Sequence, residues 1–410
     1  MREIDHLLIG GGIASATCAR TLREAGAGGS VLVVGREPGA PYHRPPISKG
    51  YLRGDQTRED ALVHPDGWWE ENGVELLTRS SVMSLDPGER IARLQSKEEI
   101  RFKTALLATG AMVRRLSVEG AGLEGIHYLR ALGNADSLRR DLAESGAERV
   151  VCVGGSYIAC EVAASLTELG HACTLVMQEE TTLERGFGSR AGRFFQARLE
   201  ERGVEVIGSD EVERFDGDAD GDGERVQRVV TRGGRVVDAD AVVVGVGATP
   251  DVTLARRAGL DIGELGGVAA SASLETSAPG IYAAGDMCEY DSVVHGRHVR
   301  IEHEDVAVRQ GATAARSMLG HGEPHRDVPY FFADLADWTS LEYVGPALTW
   351  DEEIVRGSLD EGAFSVFYLE AGRVRGTLSV GRPGDLDEGR RLIAAGAALT
   401  SSESGALGSV

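Results

Sequence analysis

The chain has 410 residues and a formal net charge of −21. That length exceeds what one hydrophobic core organises, so two or three domains are expected. The acidic balance excludes nucleic acid and anionic membrane as general partners, and no apolar run is long enough to span a bilayer. The first strand begins almost at once, which predicts a soluble, cytoplasmic chain without signal or transit peptide.

Residues 7–9 read as a buried parallel strand, which Gly10-Gly11-Gly12 turns sharply. Residues 14–25 then have helical spacing, closed by Gly26 at a C-terminal capping position. Strand, glycine turn and helix together form a phosphate cradle. Gly10 permits the tight turn, Gly12 lets a pyrophosphate approach the backbone, and the helix start at Ile13 and Ala14 supplies N–H donors. Ser15 replaces the third glycine of the fingerprint and is small enough for close helix–strand packing. Residues 30–34 read as a second parallel strand, whose end places Glu37 as the acceptor for a ribose, with Arg36 an oddity beside it. The stretch from Pro41 to Lys49 is stiffened by three prolines and carries Arg44 and Lys49. Residues 105–110 form a further buried strand ending in Ala108-Thr109-Gly110.

At 149–161 the opening pattern returns, with Gly154, Ser156 and Ala159 at the three fingerprint positions. A helix to residue 169 follows, Gly170 closes it, and 172–176 is the next strand. Two such units predict two nucleotides, the alternative being a second repeat without ligand. The acidic run 216–224 begins like a calcium loop, but Gln227 stands where that loop needs Glu, and strands flank it. It reads as a solvated hairpin loop, and no metal site is expected. Residues 281–284 form a short strand that delivers Asp286 to the carboxyl edge of the sheet, where ligands of open α/β sheets bind. Cys18, Cys152, Cys160, Cys173 and Cys288 are scattered, form no C-x-x-C, and read as inert buried thiols.

The first fingerprint, Pro41-Tyr42-His43-Arg44-Pro45-Pro46-Ile47-Ser48-Lys49, Ala108-Thr109-Gly110, the second fingerprint through Glu161, and Thr276-Ser277-Ala278-Pro279-Gly280-Ile281-Tyr282-Ala283-Ala284-Gly285-Asp286 carry a family resemblance. Together they resemble the FAD-dependent pyridine-nucleotide oxidoreductases, in the ferredoxin reductase branch that serves Rieske oxygenases and cytochromes P-450. Apoptosis-inducing factor, a relative of that branch, is also similar. The resemblance spans nearly the whole chain. It implies an α/β fold of two Rossmann-like domains, an FAD domain at 1–113 and 246–322 interrupted by an NAD(P) domain at 114–245. A C-terminal α+β interface domain at 323–400 and a loose tail at 401–410 complete it.

The same resemblance implies roles for particular residues. Asp286, beside Gly285, takes the ribityl hydroxyls of FAD; Lys49 lies beside the flavin ring, with Glu161 its ion-pair partner. Arg44, Arg114 and Arg130 border the FAD, although Met112 and Val113 replace a usual Arg-Pro before Arg114. Val82 gives a backbone contact to adenine, and Gly247 joins the cofactor-contacting set. Gly154, Gly155, Ser156, Tyr157 and Ile158 hold the pyridine nucleotide. Glu302 and His303 belong to the segment at the nicotinamide–flavin stack, where Glu304 and Phe332 stand at usual Trp positions. Met177 occupies a place where NAD-binding relatives often carry Glu, and Glu179 and Glu180 follow within reach. An acidic group there accepts bonds from a ribose 2′-hydroxyl and repels a 2′-phosphate, which favours NADH, with Arg185 arguing for NADPH.

The expected function is a flavoprotein NADH:ferredoxin reductase, monomeric or homodimeric, docking a small iron–sulfur protein. A local basic face from Arg297, Arg300, Arg309 and Arg316 is expected to serve that docking. Two rivals stand beside it: a redox-sensing protein resembling apoptosis-inducing factor, and an NADH oxidase or a rubredoxin or monodehydroascorbate reductase.

Overall fold

The apolar run at 7–9 is the inner end of a longer strand, Arg2–Ile9, because the alternation before it buries Ile4 and His6 as well. In the computed structural model, which describes residues 1–217 and 224–408, the chain divides into two units. The first comprises Met1–His43, Glu59–Met112 and Thr249–Phe331; the second comprises Arg44–Arg58, Val113–Ala248 and Phe332–Val410.

In the first unit a parallel sheet runs Val74–Leu77, Val31–Val34, Arg2–Ile9, Glu99–Leu107, with Ile281–Ala283 pairing beside the last. The register sets Leu7 against Leu32 on one side and Ala105 on the other, and Ala105 against Ile281. All four residues of Val31–Val34 are buried, as the continuous apolar character of parallel strands covered on both faces requires. The outer half of Glu99–Leu107 continues the sheet antiparallel, through Ile91–Leu94 to Val82–Asp86. The helix expected at 14–25 is observed as Ile13–Glu24, with Gly26 at φ 79° just past its end. The helix Glu304–Met318 packs on it so tightly that a Cβ on Gly311 would stand 2.3 Å from the Ala14 carbonyl oxygen.

In the second unit a parallel sheet runs Glu205–Ile207, Ala172–Val176, Arg149–Val153, Ala241–Val244, Ile126–His127. Val151, Val153, Val176, Ile207, Val242 and Val244 form its core with Phe215 and Val229. The last two come from the antiparallel trio Val212–Asp216, Arg228–Thr231 and Val236–Asp238. The acidic loop expected at 216–224 connects the first two of these strands, and its residues 218–223 lie outside the described residues. A five-stranded antiparallel sheet, Tyr330–Leu335, Thr339–Val344, Arg373–Val380, Ala363–Glu370 and Glu352–Ser358 in spatial order, carries the helix Pro383–Ala395.

The tail expected to be loose is instead helical over Ser401–Leu407. Thr400 and Glu403 form a reciprocal capping box, in which Glu403 Oε2 accepts from the Thr400 N–H at 2.7 Å. Arg356 Nε donates to the Leu407 carbonyl at 2.6 Å and its Nη1 pairs with Asp385 at 2.7 Å, so a buried guanidinium holds the segment down. All five cysteines are buried, and burial pushes their thiols up, Cys173 to about 11.

Candidate functional sites

The two glycine turns are built alike. Gly10 sits at φ 126° and a Cβ there would stand 2.0 Å from the Ala108 carbonyl oxygen. Gly154 sits at φ 121°, and its Cβ would stand 2.3 Å from the carbonyl oxygen of Gly245. In both places the first glycine is demanded twice over, by its backbone angle and by a neighbouring strand's carbonyl. Gly12 differs. It caps the helix Ile13–Glu24 at φ −99°, and no atom among the described residues lies within 4 Å of where its Cβ would be. That open face, at the start of a twelve-residue helix, fits an anionic pyrophosphate. Ser15 is fully buried, and its Oγ has no hydrogen-bond partner among the described residues.

Within the first unit the turn before Asp286 meets the first cradle at Ala14. Gly285, at φ 80°, brings the turn before Asp286 against the start of the first helix, a Cβ on it standing 3.7 Å from Ala14 Cβ. The Gly285 N–H donates to Gln310 Oε1 at 2.8 Å, which fixes the turn that presents Asp286. Arg300 Nη1 donates to the Asp286 carbonyl at 3.0 Å and to Glu302, so Arg300 links Glu302 to the turn. His303 caps the helix Glu304–Met318, its Nδ1 accepting from the Asp305 N–H at 3.3 Å. Glu37 accepts a bond from the Tyr42 hydroxyl, and its carbonyl accepts from Arg79 N at 3.1 Å, close in sequence to Val82. Thr109 Oγ1 donates to the Asp251 carbonyl at 2.6 Å, and Asp251 N donates to the Gly110 carbonyl at 2.8 Å. Arg36, the oddity of the sequence, pairs with Asp251 at 3.2 Å.

His43 Nδ1 and Glu304 Oε1 lie 2.8 Å apart. The hydrogen bond to Glu304 raises the His43 pKa against the opposing effect of burial. A raised folded-state value means that the pair's contribution is full below the ordinary histidine range and is lost as pH rises through the folded value. The His43→Gln variant should therefore lose more stability at about pH 5.5 than at about pH 8.5, the difference being under about 1 kcal/mol for a half-exposed pair. Denaturant titration at both pH values checks the sign.

In the second unit Lys49 Nζ lies 2.5 Å from Glu161 Oε1, and both side chains are buried or nearly so. Ser48 Oγ donates to the other Glu161 oxygen at 2.6 Å, and Ser165 Oγ donates to the Ser48 carbonyl at 2.7 Å. Burial pushes the Glu161 carboxyl up, while Lys49 and then Ser48 oppose it. Lys49 Nζ also stands 5.6 Å from the centre of the Phe332 ring. Arg44 Nη1 donates to the Arg130 carbonyl, and Arg114 N donates to the Gly247 carbonyl at 2.9 Å. Ser156 caps the helix Tyr157–Glu168, on which Ile158 is exposed and Glu161 buried. Glu179 pairs with Arg185 rather than standing alone.

Gln310, Gly311, Ser48, Ser165 and Asp251 escape a reading of the sequence. Gln310 leaves one signal, a polar residue on the same helical face as Ala307 and Ala314. Ser165 leaves another, four residues after Glu161 on one helix. Of the four arginines expected to form a basic face, Arg309 is held by Asp305 at 2.7 Å and Asp327 at 3.0 Å, and Arg300 by Glu302. Among the described residues only Arg297 and Arg316 of the four lack an ion pair.

Two strand–glycine–helix turns, and a buried lysine–carboxylate pair whose Glu161 lies on the helix of the second, are the architecture of a nucleotide-handling oxidoreductase. The chain belongs to the pyridine nucleotide-disulphide oxidoreductase family, whose model matches residues 4–311, and a reductase C-terminal model matches residues 330–405. A flavin and a pyridine nucleotide are that family's working pair. Rhodocoxin reductase of Rhodococcus erythropolis is 34% identical over 394 residues, covering 96% of this chain and 90% of that one. A ferredoxin reductase crystal structure from Rhodopseudomonas palustris superposes with a TM-score of 0.91 at 30% identity, covering 98% of this chain and 96% of that one. The covalent putidaredoxin reductase–putidaredoxin complex gives 0.90 at 30% identity, covering 99% and 96%.

Proposed function

We propose that the chain is an NADH-dependent reductase that holds FAD in the first cradle and NADH in the second. It delivers single electrons to a ferredoxin or similar small iron–sulfur protein of an oxygenase system. The observation that carries this reading is the pair of cradles in a chain whose five cysteines are all buried, so electrons leave without passing through a dithiol. The likeness to ferredoxin reductases over almost the full length supports the choice of acceptor. The domain assignment proposed with it is FAD at 1–113 and 246–322, NADH at 114–245, and an interface domain from 323.

FAD, when bound, supplies the conversion of a two-electron donor into a source of single electrons. Around it, Gly12 and the N–H groups of Ile13, Ala14 and Ser15 bind the pyrophosphate, and Glu37 accepts from the adenosine ribose. Asp286, on the turn that Gln310 fixes, accepts from the ribityl chain; Val82, Ala108, Thr109, Gly110 and Gly285 line the remainder. In the second cradle Gly154, Gly155, Ser156, Tyr157 and Ile158 hold the coenzyme pyrophosphate, Gly247 borders it, and Glu179 accepts from the ribose. Glu161 and Ser48 hold Lys49 in one position. Lys49 thus offers a cation fixed before any charge develops, which is the condition for electrostatic stabilisation. His303 caps the helix that follows Glu302 and so orients it.

The decisive experiment is cytochrome c reduction by the FAD-loaded protein with NADH. A rate that appears only when ferredoxin is added supports the reading, and a colourless protein that takes up no FAD defeats it. Lys49→Ala should keep its flavin yet slow single-turnover flavin reduction by about a hundredfold. An unchanged rate in stopped flow removes Lys49 from the mechanism.

A further inference from the structure

Glu304 opens the helix Glu304–Met318, and Ala307, one turn on, lies on the same helical face. A Cβ on Gly285 would stand 3.6 Å from Ala307 Cβ, so that face meets the turn that presents Asp286. A single helical turn therefore separates Glu304 from the turn proposed to hold the ribityl chain of FAD. The Glu304 side chain is only 17% exposed, and its Oε1 lies 2.8 Å from Nδ1 of His43, whose imidazole is 42% exposed. The His43 backbone is fixed as well, its N–H donating to the Ala61 carbonyl at 2.7 Å beside the Tyr42–Leu62 bridge.

With Nδ1–H donating to Glu304, a further proton enters the imidazole at Nε2. That proton adds one positive charge to the site, and the carboxylate favours it. Flavin gains negative charge on reduction, which an imidazolium beside it supports and a bare carboxylate opposes. The other ionisable groups around the pair are held otherwise. His64, across the Tyr42–Leu62 bridge, is buried, and burial pushes it below the ordinary histidine range. Arg20 and Glu24, which act on His64, pair with each other at 3.7 Å. On the helix, Asp305 is tied to Arg309 at 2.7 Å, and the His303 ring packs on Phe331 with centroids 4.9 Å apart. Across the turn, Arg300 is bonded to Glu302 and to the Asp286 carbonyl. Arg44, next in the chain after His43, gives its Nη1 to the Arg130 carbonyl.

We infer that His43, anchored by Glu304, takes up a proton when the bound flavin is reduced, and so sets how strongly the flavin potential depends on pH. NADH supplies two electrons and one proton to the flavin. The second proton comes from solvent and ends on His43 Nε2, with no bond to the flavin made or broken by it. The inference rests on the first cradle being the FAD site.

The test measures the midpoint potential of the FAD-loaded protein by equilibration with a reference dye, for wild type, His43→Gln, Glu304→Gln and Glu24→Gln. His43→Gln should lower the equilibrium constant for flavin reduction by about tenfold at about pH 6, where wild type carries the proton. At about pH 9.5, where neither protein carries it, the two should agree within about twofold. Glu304→Gln should raise the constant by about tenfold at about pH 9.5, because an anion beside the flavin is gone. Glu24→Gln, which removes the same charge from the far end of the first helix, should stay within about twofold of wild type throughout. The inference is overturned if His43→Gln matches wild type at both pH values or falls below it equally at both. It is overturned also if Glu304→Gln leaves the constant at the higher pH unchanged, or if Glu24→Gln reproduces either shift. If the protein holds FAD and only these comparisons fail, the role of His43 falls alone. If it takes up no FAD, the reading of the first cradle falls with it.

Discussion

Glu161→Ala should destabilise the second unit by about 3–5 kcal/mol, more than any other single charge removal among the proposed site residues. The side chains of Lys49 and Glu161 are 13% and 4% exposed, so little water is at hand to replace a lost partner. Deleting the carboxylate leaves an ammonium in a low-dielectric setting and the Ser48 hydroxyl without its acceptor. Lys49→Met should be milder in stability, because the Glu161 carboxyl left behind keeps the Ser48 hydrogen bond and has a neutral form that burial favours. Burial already pushes the Glu161 carboxyl up, so the loss of Lys49 favours its neutral form further, with the Ser48 hydroxyl still beside it. Urea titration of both variants decides the matter: losses that are small in both mean that the pair is solvated and contributes little.

Gly10→Ala is expected to prevent the first unit from folding, whereas Gly12→Ala should fold and lose only its nucleotide. The contrast follows from geometry two residues apart. At Gly10 a methyl group meets a positive φ and, at 2.0 Å, a backbone carbonyl of the adjacent strand, which cannot move without breaking the sheet. Strain of this kind costs about 1–3 kcal/mol for the dihedral alone, before the clash is counted. At Gly12 the backbone is in an ordinary region and the space ahead is open, so the methyl group occupies only the place proposed for the pyrophosphate. Thermal denaturation of the flavin-free proteins, with flavin absorbance after reconstitution, separates the two effects. A Gly12→Ala variant that still binds FAD stoichiometrically moves the phosphate away from this turn.

What could be read from the chain follows from how local each signal is. The parallel strands announce themselves as short apolar runs, and both turns as glycines at fixed spacing, because a phosphate cradle is made almost wholly of backbone. The Lys49–Glu161 pair joins residues far apart in sequence, and no periodicity links them; only the family resemblance put them together. Ser48 stands in the proline-rich loop motif and Ser165 is four residues after Glu161 on one helix, yet nothing in the sequence joins either hydroxyl to the pair. Glu179 was legible as an acid after a strand, but its pairing with Arg185 depends on a left-handed Leu183 that no propensity foretells. That Arg300 and Arg309 are held by Glu302, Asp305 and Asp327 could not be read either, because charge counted along a chain says nothing of the acids that face it. The C-terminal helix was missed although Thr400-Ser401-Ser402-Glu403 spells a capping box.

The sheet of the first unit has an order that the ribosome cannot respect. The inner half of Glu99–Leu107 is completed by Ile281–Ala283, which is synthesised only after the whole parallel sheet of the second unit. Until then a buried, apolar strand waits with one edge open, while a second sheet of the same handedness emerges beside it. Such late closure makes the nascent chain slow to mature and prone to wrong strand pairing. Chaperone supply and growth temperature, rather than final stability, should therefore govern how much of this protein a cell recovers intact.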